Sequence, residues 1–346
     1  MGSYLLRRLL QLIPLLFLLS IALFALVNLA PGGPLASLGG SRHVNPQKAE
    51  QLRRQLGLDR PLPTQYLYWL VGNDWTKVDA DGDGIAESPG TRRGVLRGDF
   101  GLSFRTRRPV LTEILERLPN TAYLMIATLI VVAVIALPVG VLSAVKQYSI
   151  FDLVATTLSF AGQAIPEFWL GLILILVFYV GLRNPATGEP LLPAGGMYTL
   201  GSAFSVGDWI KHLILPVAMG AVGWVAWYSR FLRAGMLDVI HQDYIRTARA
   251  KGLSRLRVLY RHALRNALIP LVTILALDLP YIFAGSLYVE LIFSWPGMGR
   301  LYYQAATQRD YPLLMAVLII AAATTALCNL LADLAYALLD PRIRYE

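Results

Sequence analysis

The chain has 346 residues and a formal net charge of +9, with 55% hydrophobic and only 15% charged residues, and its mean hydropathy is +0.52. This balance, with apolar residues in runs long enough to cross about 30 Å of hydrocarbon, excludes an ordinary soluble domain and indicates a polytopic helical membrane protein. The densest positive cluster abuts apolar runs, so topology and anionic lipid account for the charge and no nucleic-acid partner is expected.

The first apolar run, 9–30, follows Arg7 and Arg8. It is longer than the apolar core of a secretory signal and no small-x-small cleavage site closes it, so residues 1–30 read as a retained transmembrane anchor. Residues 31–120 form an extracytoplasmic subdomain. Within it, 45–58 carries Pro46 at a helix start, Leu52 and Leu56 four apart and Gly57 near the end, which predicts a short amphipathic helix. Residues 62–71, with Tyr66, Tyr68 and Trp69, predict a second helix at headgroup level.

An insertion at 79–90 then offers Asp79, Asp81 and Asp83 on alternate positions before Gly84, the opening of a calcium loop. Position nine is Glu87, but position twelve, where a bidentate Glu would close the site, is Gly90. A calcium site that stiffens the loop and a solvated acidic turn both fit this pattern.

Further apolar runs at 121–145, 153–182, 209–232, 267–293 and 313–339 bring the predicted spans to six. Glu167 follows Pro166 in the third, Asp278 precedes Pro280 in the fifth, and Asp333 lies in the sixth. Carboxylates at lipid depth are functional candidates, though each also serves as a structural partner for a neighbouring helix. Between the fourth and fifth runs lies a basic, helix-prone stretch, 243–265, with Arg246, Arg249, Lys251, Arg255, Arg257, Arg261 and Arg265 around Gly252. Positive charge gathers on cytoplasmic loops, so this stretch, Arg7 with Arg8, Lys146, and Arg342 with Arg344 agree on one orientation with both termini cytoplasmic. Segments 31–120, 183–208 and 294–312 then lie outside.

Chemistry is sparse. No Gly-x-x-x-x-Gly-Lys-Ser/Thr run can wrap a nucleotide phosphate, the four histidines lack metal-ligand spacing, and the single cysteine, Cys328, can form no internal disulfide. The chain is not expected to be an enzyme or to hold a cofactor. If it moves solute uphill, the energy arrives through another subunit.

Specific stretches supply a resemblance. Tyr244-Ile-Arg-Thr-Ala-Arg-Ala-Lys-Gly252 and Arg261-His-Ala-Leu-Arg-Asn-Ala-Leu-Ile-Pro270 resemble the cytoplasmic coupling loop of permease subunits of binding-protein-dependent ABC importers, in the dipeptide/oligopeptide branch. Against the wider family's Glu-Ala-Ala…Gly motif only Ala248, Gly252 and Leu264 agree. Leu56-Gly-Leu-Asp-Arg-Pro, Gly98-Asp-Phe-Gly-Leu-Ser-Phe, Ile165-Pro-Glu-Phe-Trp-Leu-Gly171, Trp295-Pro-Gly-Met-Gly299 and Leu339-Asp-Pro-Arg-Ile-Arg-Tyr345 extend the likeness over nearly the whole chain, and the 79–90 insertion departs from shorter members.

The resemblance implies an all-α, six-helix importer permease fold of type I, with 121–346 as a five-helix permease core carrying coupling loop 243–265, in the inner membrane of a prokaryote. It implies a second homologous permease, two cytoplasmic ATPases holding ATP and magnesium, an extracytoplasmic solute-binding protein and a peptide-like substrate. Asp243, Arg246, Thr247, Ala248, Ala250, Gly252, Leu253 and Leu264 would then contact or transmit the ATPase stroke. Glu167, Phe168, Asp278 and Tyr281 would line the pore, and Glu290, Trp295, Pro296 and Gly297 would face the binding protein. Nickel, glutathione or oligosaccharide are alternative cargoes, and a stand-alone channel or secondary carrier is the rival class.

Overall fold

A computed structural model describes residues 2–29, 54, 57–79 and 87–339. Most of the predicted helix at 45–58, apart from residues 54, 57 and 58, lies outside the described residues, as do Asp81, Asp83, Arg342 and Arg344. Among the described residues, five helices are long and apolar enough to cross a membrane: Leu10–Leu29, Val110–Val145, Val206–Ile240, Arg255–Ile292 and Tyr311–Asp333. A bent pair, Ile150–Ala164 with Glu167–Gly181, makes the sixth span. The chain is therefore a polytopic all-α membrane protein, and we number the spans one to six in chain order.

Local chemistry explains the departures from straight helices. Prolines 119 and 138 are carried inside span two and Pro216 inside span four, which membrane helices tolerate because neighbouring groups satisfy the freed carbonyls. Span three starts on Ser149, whose hydroxyl caps the Asp152 amide. It breaks at Ile165, which is extended (φ −75°, ψ 123°), the conformation favoured before a proline, and the two halves diverge by 99°. The predicted run 153–182 is thus one span by length but not one rod.

Contacts divide the chain into two compact units, 1–118 with 301–326 and 119–300 with 327–346, which cut across the segments 1–30, 31–120 and 121–346. In the first unit the external helix Leu62–Leu70 lays Tyr66 and Trp69 against Phe24 of span one, with ring centroids 5.4 and 5.8 Å from it. The Tyr66 and Ser20 hydroxyls are 2.7 Å apart, and Val27, Tyr311 and Met315 complete the core. Asp310 is buried and accepts hydrogen bonds from the Ser103 hydroxyl and the Phe104 and Arg105 amides. Arg97 forks onto Asp74 at 2.5 and 2.8 Å, and that hydrogen-bonded guanidinium holds the Asp74 carboxyl below its usual range.

Span four is the axis of the second unit. Tyr228, Leu232 and Met236 pack with Val132 and Ala136 of span two, Ala263 and Ala267 of span five, and Ile245 and Ala248 of the elbow helix Asp243–Ala250. A second cluster joins Leu124, Leu215 and Met219 to Val289, Phe293 and Trp295. Large apolar side chains such as Leu153, Leu158 and Leu176 stay exposed, as suits helices whose outer faces meet lipid.

Candidate functional site

Three groups of residues bear on function, and the largest lies around a cavity of about 480 Å³ in the second unit. Glu167 reaches it because the chain restarts its helix immediately after the Pro166 break. Asp278 reaches it from the last helical residue before Leu279 and Pro280, and Tyr281 from just beyond them. Trp224, Trp227 and Tyr228 of span four form the facing wall. The Tyr228 hydroxyl donates to the Asp278 carboxylate, and Trp224 meets Tyr281 edge-on at 5.8 Å. Two carboxylates and several aromatic rings thus share one open concavity, a combination that suits a polar, variable solute.

Phe168 stands apart from this group. It is 51% exposed and does not line this cavity, because one helical step turns a side chain about 100° away from its neighbour Glu167. The span-four aromatics were missed by charge-based reasoning. Their signal was spacing, since positions 224, 227 and 228 stand at i, i+3 and i+4 on one helix face.

The elbow forms the second group. Its helix carries Asp243 in the first turn and Arg249 in the last, the charge order that complements a helix dipole. It ends in a Schellman turn: the Gly252 amide donates to the Arg249 carbonyl at 2.9 Å and the Leu253 amide to the Ala248 carbonyl at 3.4 Å, with Gly252 left-handed at φ +77°. A Cβ at Gly252 would meet no atom within 4 Å, so glycine is needed there for backbone conformation alone. Asp243, Arg246, Thr247 and Ala250 are exposed, and Arg246 pairs with Asp243 at 3.5 Å. Leu253 and Leu264 are half-buried against the core of spans two and four, and Tyr244 accepts a 2.9 Å hydrogen bond from Asn266.

One expectation about the elbow is corrected. Ala248 is buried with Ile245 against the bundle, so it seats the helix and is not part of its outer surface. Beyond Gly252 the chain is helical from Arg255 into span five through a π-helical stretch, Val258–Leu264. Widening to i→i+5 bonding rotates the register, so the buried stripe is Val258, Ala263 and Ala267, while Leu256 is 67% exposed.

The external loop is the third group, and here the sequence reading is overturned on orientation. Glu290 and Trp295 are 0% exposed and Gly297 is buried. Glu290 accepts from the Thr121 hydroxyl and the Arg300 amide, each at 2.9 Å. The Trp295 indole donates to the Asn120 carbonyl at 2.8 Å, and Asn120 returns a bond to the Pro296 carbonyl at 2.9 Å. A Cβ on Gly297 would sit 2.6 Å from the Glu290 carboxyl carbon. These residues knot the loop onto the start of span two; only Pro296 keeps partial exposure. Polar groups in a loop need not be presented to a partner, because a buried carboxylate must find donors.

In the acidic insertion, Asp79 lies 4.0 Å from Arg54 and Glu87 is exposed beside the two-residue ladder Lys77–Val78/Ser88–Pro89 that closes its base. No group of three or more metal-ligating side chains occurs among the described residues.

Two family models cover most of this sequence. Residues 136–345 match the binding-protein-dependent transport system inner membrane component, and residues 1–125 match the N-terminal part of binding-protein-dependent transport system membrane components. The oligopeptide transport system permease protein AppB of Bacillus subtilis is 43% identical over the full length of both chains. The di/tripeptide transport system permease protein DppB of Pseudomonas aeruginosa is 38% identical, and the dipeptide transport system permease protein DppB of Escherichia coli K12 is 36% identical, each again over 100% of both chains.

Proposed function

The chain belongs to the family of inner membrane components of binding-protein-dependent transport systems, an ABC importer permease of the inner membrane, and from that membership we propose that it carries peptides and is driven through its elbow. Peptide is the cargo named for its relatives. A second permease completes the path, an external binding protein delivers the solute, and two cytoplasmic ATPases hold ATP and magnesium.

The elbow's two-faced construction is the observation that carries this reading. Ile245 and Ala248 fix it to the bundle, while Asp243, Arg246, Thr247 and Ala250 stand free on the other side for a motor protein. Because its helix turns at Gly252 into a segment continuous with span five, a push on the elbow is delivered to the helix that ends at Asp278. The cavity wall then moves with it. Glu167 and Asp278 can receive the ammonium or amide groups every peptide has, and the surrounding rings can pack against side chains without selecting one.

Gly252→Val tests the elbow. A β-branched residue at φ +77° is strained by about 1–2 kcal/mol or more, so uptake and solute-stimulated ATPase activity of the assembled importer should be lost while the chain still inserts. Uptake at the wild-type rate would refute the lever.

A further inference from the structure

A second cavity, of about 290 Å³, opens where the elbow meets the ends of spans two and four. Lys146, His241, Arg249 and Arg255 border it, its floor includes the buried Ile245 and Val258, and no carboxylate lines it. Among the described residues, Lys146, Arg249 and Arg255 make no ion pair and no side-chain hydrogen bond, whereas Arg246 on the same elbow pairs with Asp243.

Part of this charge has a structural reason. Span two ends at Val145 and span four at Ile240, and each helix C-terminus carries about half a negative charge; Lys146, one residue beyond the first, offsets that one. Arg249 and Arg255 are left over. They stand on either side of the Gly252 turn, two forked donors above an apolar floor at the membrane end of two spans. A soluble phosphate would use the forks but not the floor; a singly charged phosphodiester with its glycerol and upper acyl chains uses both.

We propose that this cavity binds the headgroup of an anionic inner-leaflet phospholipid, with Arg249 and Arg255 on the phosphate and Lys146 at the rim, so that the lipid ties the elbow to the end of span two. The headgroup then stiffens a joint that Ile245 and Ala248 already seat on the bundle. Lipid composition becomes a control on coupling, whatever the cargo.

The test is retention of phosphatidylglycerol by the assembled importer, read by native mass spectrometry after titration from phosphatidylcholine nanodiscs; it needs no transport activity. Arg249→Gln with Arg255→Gln should weaken retention about tenfold or more, the value of one or two lost charge-assisted hydrogen bonds. Arg257→Gln with Arg261→Gln, on the same elbow but outside the cavity, should leave it unchanged. Equal weakening by both pairs would mean diffuse attraction to the leaflet, and no weakening by either would remove the site; each overturns the proposal. Displacement of the lipid by glycerol 3-phosphate would make this a soluble-phosphate site, and lipid retention only after the ATPases are stripped would make it a protein contact; either also overturns it. Should the double variant fail to assemble, Lys146→Gln carries the same test, with several-fold weaker retention expected and unchanged retention decisive against it.

Discussion

Asp278 stands where the helical part of span five gives out, and its carboxylate is held by the Tyr228 hydroxyl across the central cavity. A charge facing an open concavity can exchange that partner for the ammonium of a passing solute. Asp278→Asn keeps the shape and removes the charge, so the half-saturating peptide concentration for uptake should rise about tenfold, the cost of one charge-assisted hydrogen bond. Tyr228→Phe frees the carboxylate without removing it and should change affinity much less. If both variants bind and transport as the wild type does, Asp278 is a structural partner of span four and no more. Glu167, Asp278 and Tyr281 were legible because charges and proline breaks stand out in apolar runs. Trp224 and Trp227 were not, because a tryptophan in such a run registers only as hydrophobic. Glu290 and Trp295 were legible as special but not as buried, since burial depends on Asn120 and Thr121, some 170 residues earlier in the chain.

Span existence was the most readable property of the elements, because an apolar run of about 20 residues has few other fates in a chain this hydrophobic. Bends and register were less so. Pro166 marks the place of a break but not its 99° angle, and no residue in the linear sequence marks the π-helical stretch at Val258–Leu264. One interaction between elements went unread altogether. Asp152 of span three is 3% exposed and receives both Nε and an Nη of Arg233 on span four at 2.7 Å. These residues lie 81 positions apart. Cutting one partner leaves the other charge buried, which costs about 3–5 kcal/mol in such pairs. Partial exposure of Arg233 puts Arg233→Met toward the lower end of that range. Thermal unfolding of the purified protein should report the loss, and the exchange Asp152→Arg with Arg233→Asp should recover part of it. A melting temperature indifferent to Arg233→Met would show that the pair only fills space.

For the whole molecule, the decisive fact is that the cavity around Glu167 and Asp278 is a wall and not a tube. Glu167, Trp227 and Tyr281 line it and yet remain exposed, a state that charged and amphipathic groups do not keep in hydrocarbon without a partner or water. The sequence also lacks a nucleotide-binding loop of its own. Path and power are both incomplete in one chain, which separates an importer subunit from a channel or a secondary carrier by experiment. Reconstituted alone in liposomes, the chain should neither leak peptide down a gradient nor accumulate it. With a second permease, the ATPases and the external binding protein, uptake should proceed uphill and stop when ATP is withheld. Saturable peptide entry through the chain alone would mean that the exposed carboxylates and rings close on a second copy of themselves, and the elbow would lose its reason for a free outer face.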